Sequence, residues 1–343
     1  MTQRPTPSEV LFETEKPFPI LPAVDHYAGS EARMRKALAL QGELGPVFDV
    51  TLDCEDGART GAEAEHAQMA AELAASADNR FGRVGVRIHD ITHPHWQQDL
   101  DILLRGARRQ LAFVTLPKAR SAADVRIQVE ALRRIEADHG IERALPVHVL
   151  IETHTALREI WQIVAIDGVE SVDFGIMDFV SAHHGALPGS AMVSPGQFTH
   201  PIVMRAKCEI VAAALAHAVV PSHNVTTELH DIEQIRDDAR RARRDFGFLR
   251  MWSIHPNQIL PILEAMRPDF SEVSDASEIL LSAQDADWGP IQHRGKLHDR
   301  ASYRYYWDLL ARAHVTGMEI EPEARTRFFG ARPQACATPN SLR

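Results

Sequence analysis

The chain has 343 residues, 45% of them hydrophobic, with 37 basic against 47 acidic side chains and a net charge of −10. That is apolar material for one large α/β domain or two smaller ones, and an acidic balance without a basic run argues against a nucleic-acid or anionic-membrane partner. The longest apolar patch, residues 210–220, is too short to span a bilayer, and the N-terminus has no signal-like apolar stretch. Cys54, Cys208 and Cys336 are odd in number and lack C-x-x-C spacing, which fits a reducing, cytoplasmic setting.

Residues 1–18 carry three prolines, with a fourth at 19, and no periodicity, so they read as an irregular arm. From there strands and helices alternate. Expected strands cover residues 20–24, 46–52, 84–88, 111–116, 147–151, 169–176, 219–222 and 249–254; expected helices cover 30–40, 61–77, 95–108, 122–138, 157–166, 201–217 and 231–246. Eight such units predict a (β/α)8 barrel over residues 19–266, and no G-x-G-x-x-G or P-loop follows a strand to suggest an open nucleotide-binding sheet. Helical stretches at 257–265, 275–286 and 302–313 exceed what one closing helix needs. Residues 267–320 are therefore expected to form a C-terminal helical extension that covers the barrel mouth or reaches a neighbouring subunit, with residues 321–343 irregular.

In a barrel of this kind the chemistry sits at the carboxyl ends of the strands. Glu152 closes the fifth strand and Asp178 follows the sixth. If the strands are parallel neighbours, the two carboxylates converge and suit a hard divalent cation that keeps several waters; otherwise Glu152 caps a helix and Asp178 is a solvated loop residue. The second strand ends in the acidic cluster Asp53, Glu55 and Asp56. In the third, Gly85, Arg87 and His89 share one face, with Gly85 expected to leave room beside Arg87. The guanidinium fork is fitted to a ligand carboxylate, or else to an internal salt bridge with Glu55 or Glu152. Lys118, ending the fourth strand, either holds an anion or extends to solvent. A metal with an arginine beside it describes a site for an anionic ligand that also offers a hydroxyl or keto oxygen, such as a 2-keto or 2-hydroxy acid.

In order along the chain, LDCEDGA, VRIHD, TLPKA, LIET, FGIMDF, SIHPNQI and GKLHD resemble motifs of the citrate lyase β-subunit and malyl-CoA lyase group, within the HpcH/HpaI aldolase/citrate lyase superfamily. The resemblance implies a (β/α)8 barrel that cleaves carbon–carbon bonds of 3-hydroxyacyl-CoA thioesters, such as citryl-CoA or malyl-CoA, into an acyl-CoA and a 2-keto acid with Mg2+, or with Mn2+ as the alternative. It implies Glu152 and Asp178 as metal ligands, Arg87 as the keto-acid carboxylate site, and Glu55 and Asp56 acting through waters on the metal. It also implies Asp299 as the acid/base, supplied by an adjacent subunit of a homotrimer or homohexamer, and it leaves Lys118 as a weak cofactor-binding candidate. Where the family starts strand one with R-S-x-L-F-V-P-G, which helps hold coenzyme A, this chain has PILPAVDHYAG, and His89 stands at a common Asn position. Those departures leave open a metal-dependent aldolase acting on free hydroxy-keto acids, and a non-catalytic metal- and keto-acid-binding subunit. No H-E-x-x-H supports a zinc hydrolase built on His154, His183 and His184, and His255 reads as a structural residue at a helix start.

Overall fold

The computed structural model describes residues 5–12, 18–56 and 60–330. Eight parallel strands, β1 (Val24–Ala28), β2 (Asp49–Asp53), β3 (Val84–Arg87), β4 (Leu111–Leu116), β5 (Val147–Ile151), β6 (Val169–Phe174), β7 (Val220–His223) and β8 (Arg250–Ser253), close in sequence order into a barrel. It is a (β/α)8 barrel, and β1 pairs with β8 to complete the ring (Asp25 opposite Trp252).

Alternation along each strand explains the closure. Val50, Leu52, Val84, Val86, Val147, Val149 and Ile151 lie in the buried apolar core, and full burial of such a side chain stabilises by roughly 1.5–3 kcal/mol. The other face of each strand points into the barrel and is unusually polar. Arg250 is fully buried there, with its Nη2 2.7 Å from Asp25 and its Nη1 2.5 Å from Asp49 and 3.2 Å from the Pro22 carbonyl. Thr51 donates to Asp25 at 2.7 Å, and the Trp252 indole N–H donates to Asp173 at 3.0 Å. Two short predicted features shift. The first strand begins at Val24 rather than at residue 20, because Pro22 has no N–H to enter a ladder and the inward Asp25 and Tyr27 disguise the strand as polar. The helix expected over 157–166 is two, His154–Arg158 and Ile160–Val164; Glu159 between them accepts the Ala122 N–H with its carboxylate (3.0 Å).

His26, on the outer face of β1, is buried and hydrogen-bonds Ser253 through Nδ1 at 2.9 Å. Burial pushes its pKa down to about 4, outweighing the charge of Asp25. The unfolded chain therefore binds a proton near pH 6.5 that the folded chain refuses until about pH 4, so stability is present above pH 6.5 and lost as pH falls through that window. The denaturation midpoint in urea should drop steadily between pH 7 and pH 4.5, and His26→Gln, which keeps a polar partner for Ser253, should flatten that slope. An unchanged slope in the variant would remove His26 as its cause.

The chain divides into two compact units, Leu21–Met266 with the barrel, and Met1–Ile20 together with Arg267–Arg343. In the second unit, helices Phe270–Asp285 and Arg300–Val315 pack through Val273, Leu280, Tyr303 and Leu310, with a small hairpin, Ile291–His293 and Lys296–His298, between them in sequence. The termini are not wholly irregular, contrary to the expectation for residues 1–18 and 321–343. Pro7–Leu11 is a helical turn closed by a Thr6/Glu9 capping box, and its Leu11 is fully buried in the second unit. Pro322–Phe329 is a helix capped by Glu321, with Pro at its first turn, where a missing N–H costs nothing. Residues 1–4, 13–17 and 331–343, including Cys336, lie outside the described residues. Among the described residues no helix is long and apolar enough to cross a membrane.

Candidate active site

The carboxyl ends of the strands surround a cavity of about 300 Å3. Tyr27, Asp56 and Arg87 line it from β1, the β2 loop and β3, and Glu152 and Asp178 reach it after β5 and β6. Arg87 is held by all three acidic residues that follow β2. Its Nε lies 2.7 Å from Asp53, its Nη1 3.2 Å from Glu55 and its Nη2 2.8 Å from Asp56. Asp53 also accepts the Tyr27 hydroxyl at 2.7 Å, and the guanidinium carbon lies 5.1 Å from the Tyr27 ring centre. Burial raises Asp53, but Arg87 and the Tyr27 hydroxyl more than reverse it, so this carboxyl sits below its ordinary value; at Glu55 burial wins and the pKa is raised. The internal salt bridge is thus present and includes Glu55. Gly85 does not leave open space beside Arg87, because the Phe113 ring fills it: a Cβ there would come within 2.1 Å of that ring. Two of the arginine's partners are buried, whereas the Asp56 side chain is 59% exposed, the kind of contact a ligand carboxylate can replace at small cost.

Glu152 is buried, and its Oε1 accepts the Lys118 N–H at 2.6 Å. Lys118 has a left-handed backbone, φ 47°, which turns its N–H toward Glu152. Its ammonium lies 2.7 Å from Glu55 and 3.8 Å from Asp56, so the anion it holds is the protein's own; despite partial burial these carboxylates push its pKa up to about 12. Burial pushes the Glu152 carboxyl up to about 8, against the Lys118 N–H, with the charge of Asp178 adding to the rise. Asp178 sits in the first turn of a short helix, Ile176–Ser181, rather than in a loop. Gly175, between β6 and that helix, is where Glu152 is admitted: a Cβ would lie 2.3 Å from Glu152 Oε2 and 2.6 Å from its Cβ. Gly175→Ala must therefore displace the carboxylate. Turnover should fall by roughly 100-fold with the far-ultraviolet circular dichroism unchanged, and full activity would show that Glu152 need not occupy this position.

The opposite wall is apolar. Leu150, Phe174, Ile176, Met177, Val225, Trp252 and Ile254 line it from β5 to the loop after β8, with Thr227 the one hydroxyl among them. Trp252 stacks on Tyr27 across the β8–β1 seam, with centroids 6.2 Å apart and planes at 21°. The buried Gln258 ties two lining loops together: its Oε1 accepts the N–H groups of Ile254 (2.8 Å) and His255 (3.2 Å), and its Nε2 donates to the carbonyls of Thr226 (2.9 Å) and Glu228 (2.7 Å). Tyr27, Trp252, Gly175 and Gln258 escaped the sequence reading, although the alternation of Asp25 with Tyr27 and of Arg250 with Trp252 was a usable signal for two of them. His89 bonds Asp99 through Nδ1 (2.6 Å), and His255 accepts the Asn257 N–H as a helix-start residue would. Asp299 belongs to the second compact unit, where it is exposed and caps Arg300–Val315, accepting the N–H of Ala301 at 3.1 Å.

Of the three carboxylates on the cavity Asp56 is paired with Arg87; the other two, Glu152 and Asp178, the first of them buried, fit a hard divalent cation whose other positions go to water and substrate. Among the described residues no group of three or more His, Cys, Asp or Glu is arranged to hold a metal, so the protein's share would be Glu152 and Asp178.

The closed parallel barrel carries its carboxylate and arginine cluster at the strand ends, where barrels of this kind do their chemistry, and the family match makes it an enzyme of the aldolase and lyase type. Residues 30–256 match HpcH/HpaI aldolase/citrate lyase, and the chain belongs to that family. It is 26% identical over 267 residues to the L-malyl-CoA/beta-methylmalyl-CoA lyase of Rhodobacter capsulatus, covering 74% of this chain and 84% of that one. A malyl-CoA/beta-methylmalyl-CoA/citramalyl-CoA lyase of Chloroflexus aurantiacus is 22% identical over 271 residues, covering 74% and 75%. Among solved structures, a citrate lyase of Burkholderia xenovorans is 54% identical, with a TM-score of 0.82 over 94% of this chain and 100% of that one. The CitE protein of Mycobacterium tuberculosis, in complex with magnesium, acetoacetate and coenzyme A, shares the fold at 22% identity and a TM-score of 0.63, over 86% and 98%.

Proposed function

We propose that this chain is a divalent-metal-dependent carbon–carbon lyase that cleaves a 3-hydroxyacyl-CoA, such as citryl-CoA or malyl-CoA, into an acyl-CoA and a 2-keto acid. The observation that carries this reading is the placing of Glu152, Asp178 and Arg87 on one cavity in a member of this family. Glu152 and Asp178 hold Mg2+, or Mn2+, which as a Lewis acid lowers the cost of negative charge on a substrate oxygen. Arg87 takes the substrate carboxylate, exchanging the exposed Asp56 for it while Asp53 and Glu55 keep the guanidinium aimed. Glu55 and Asp56 otherwise act through water, and Lys118 fixes both Glu55, by its ammonium, and Glu152, by its N–H.

In the cleavage direction the substrate hydroxyl gives its proton through water to the Glu55 and Asp56 carboxylates, the adjacent carbon–carbon bond breaks, and its electron pair becomes the thioester enolate. Asp299 of a second copy of the chain protonates that enolate carbon, or removes the same proton in condensation. This makes the enzyme an oligomer, a trimer or hexamer, working in the cytoplasm. A lyase on free hydroxy-keto acids is the second reading, favoured by the PILPAVDHYAG start, which lacks the arginine that helps hold coenzyme A.

Calorimetry with oxaloacetate, glyoxylate and pyruvate, with and without Mg2+ and acetyl-CoA, separates the two. Keto-acid binding that needs Mg2+ and is strengthened by acetyl-CoA supports the thioester lyase, indifference to acetyl-CoA supports the free-acid lyase, and no binding removes both. Asp299→Asn should keep metal and keto-acid binding and lose turnover by about 100-fold or more.

A further inference from the structure

The cavity has two unlike halves. Charged groups and the Tyr27 hydroxyl come from β1 to β3 and from the ends of β5 and β6, whereas the wall from β5 round to β8 is hydrocarbon, thioether and indole, with the Thr227 hydroxyl its one polar side-chain group. A glyoxylate or an oxaloacetate would leave that wall unused, and the second carboxylate of oxaloacetate would meet the Thr227 hydroxyl there but no cation, which is costly. From this asymmetry we propose that the 2-keto acid released by the enzyme carries an apolar substituent, a branched alkyl or phenyl group, seated against Met177, Val225, Trp252 and Ile254. The proposal rests on the lyase reading and narrows it.

Three observations support a fixed seat for such a group. The wall is continuous with the Arg87 and Glu152 half, so one small molecule can reach both. Trp252 is oriented by its N–H bond to the buried Asp173 and by stacking on Tyr27, which leaves its ring as a rigid surface. Gln258 clamps the β7 and β8 loops, so Val225 and Ile254 are presented by braced backbone. The volume of about 300 Å3 exceeds what a two- or three-carbon acid fills.

The test is calorimetric, on the full chain with saturating Mg2+, comparing glyoxylate, pyruvate, 2-oxobutanoate, 4-methyl-2-oxopentanoate, phenylpyruvate and oxaloacetate. Affinity should rise about tenfold or more from pyruvate to the branched or phenyl acid, with oxaloacetate weaker than 2-oxobutanoate. Ile254→Ser, at an accessible residue of the wall, should lower the ratio of branched-acid to pyruvate affinity by about tenfold. Affinity that is flat or falling with the apolar chain overturns the proposal while leaving the lyase reading in place, and failure of every keto acid to bind overturns both. Acetyl-CoA should bind alongside 4-methyl-2-oxopentanoate; if it displaces the branched acid but not pyruvate, the wall seats the thioester arm and the proposal fails.

Discussion

Glu152→Ala should abolish Mg2+-dependent keto-acid binding, lowering metal affinity by more than about 100-fold and turnover by roughly 1,000-fold, while the barrel stays folded. Glu152 is buried at the end of β5, and of its contacts only the N–H of Lys118 is a backbone donor that loses a partner. Its carboxyl already resists ionisation, because burial and the charge of Asp178 both favour the proton. Removing it therefore relieves one electrostatic cost while leaving one N–H unpaired, and net stability should change by about 1 kcal/mol or less. Glu152→Gln separates charge from shape: the amide oxygen can still accept from Lys118, yet it brings no negative charge, so metal affinity should fall nearly as far. Asp178→Ala should match the binding defect. Unchanged metal affinity in both alanine variants would end the two-carboxylate account.

Arg250→Met should be the most destabilising single substitution in the barrel, costing about 3–5 kcal/mol. Arg250 is completely enclosed, within ion-pair distance of Asp25 and Asp49, and Asp49 is raised by burial even with Arg250 present. Without the guanidinium, two carboxyls must hold protons or remain charged in the barrel interior. Adding Asp25→Asn and Asp49→Asn to Arg250→Met should restore much of the loss, because the penalty lies in the unpaired acids. An exposed pair offers the contrast: Arg236 and Glu264 lie 2.9 Å apart at the surface, and removing either should cost less than about 1 kcal/mol. Denaturant midpoints decide both, and a loss at Arg250 no larger than at Arg236 would show that the buried network is not needed for stability.

The barrel was readable because its outward strand faces are β-branched and its helices carry apolar stripes. β4 (Leu111–Leu116) and the helix Ala122–Asp138 begin and end where periodicity places them, the latter with Ser121 accepting the Asp124 N–H. β1 was displaced because its inward residues are polar, and inward polarity depends on Arg250, more than 200 residues away. The meeting of Glu152 and Asp178 on one cavity was anticipated from strand ends alone. The full occupation of Arg87 was not, since one guanidinium binding three carboxylates from a single loop depends on backbone geometry that spacing does not encode. Gly175 was invisible for a related reason: a missing Cβ gains meaning only when Glu152 is placed beside it.

The ring closes between the first and eighth strands, His26 meeting Ser253 across 227 residues, and the Tyr27–Trp252 stack straddles that seam. On the ribosome, the first strand therefore waits for nearly the whole barrel to be synthesised before its neighbour exists. A nascent chain stopped short of residue 250 has an open sheet edge and a cavity lacking Trp252 and Ile254, and such fragments are material for chaperones and proteases. In a variant that keeps Trp252 as its one tryptophan, emission that shifts as the ring meets Tyr27 marks that closing event.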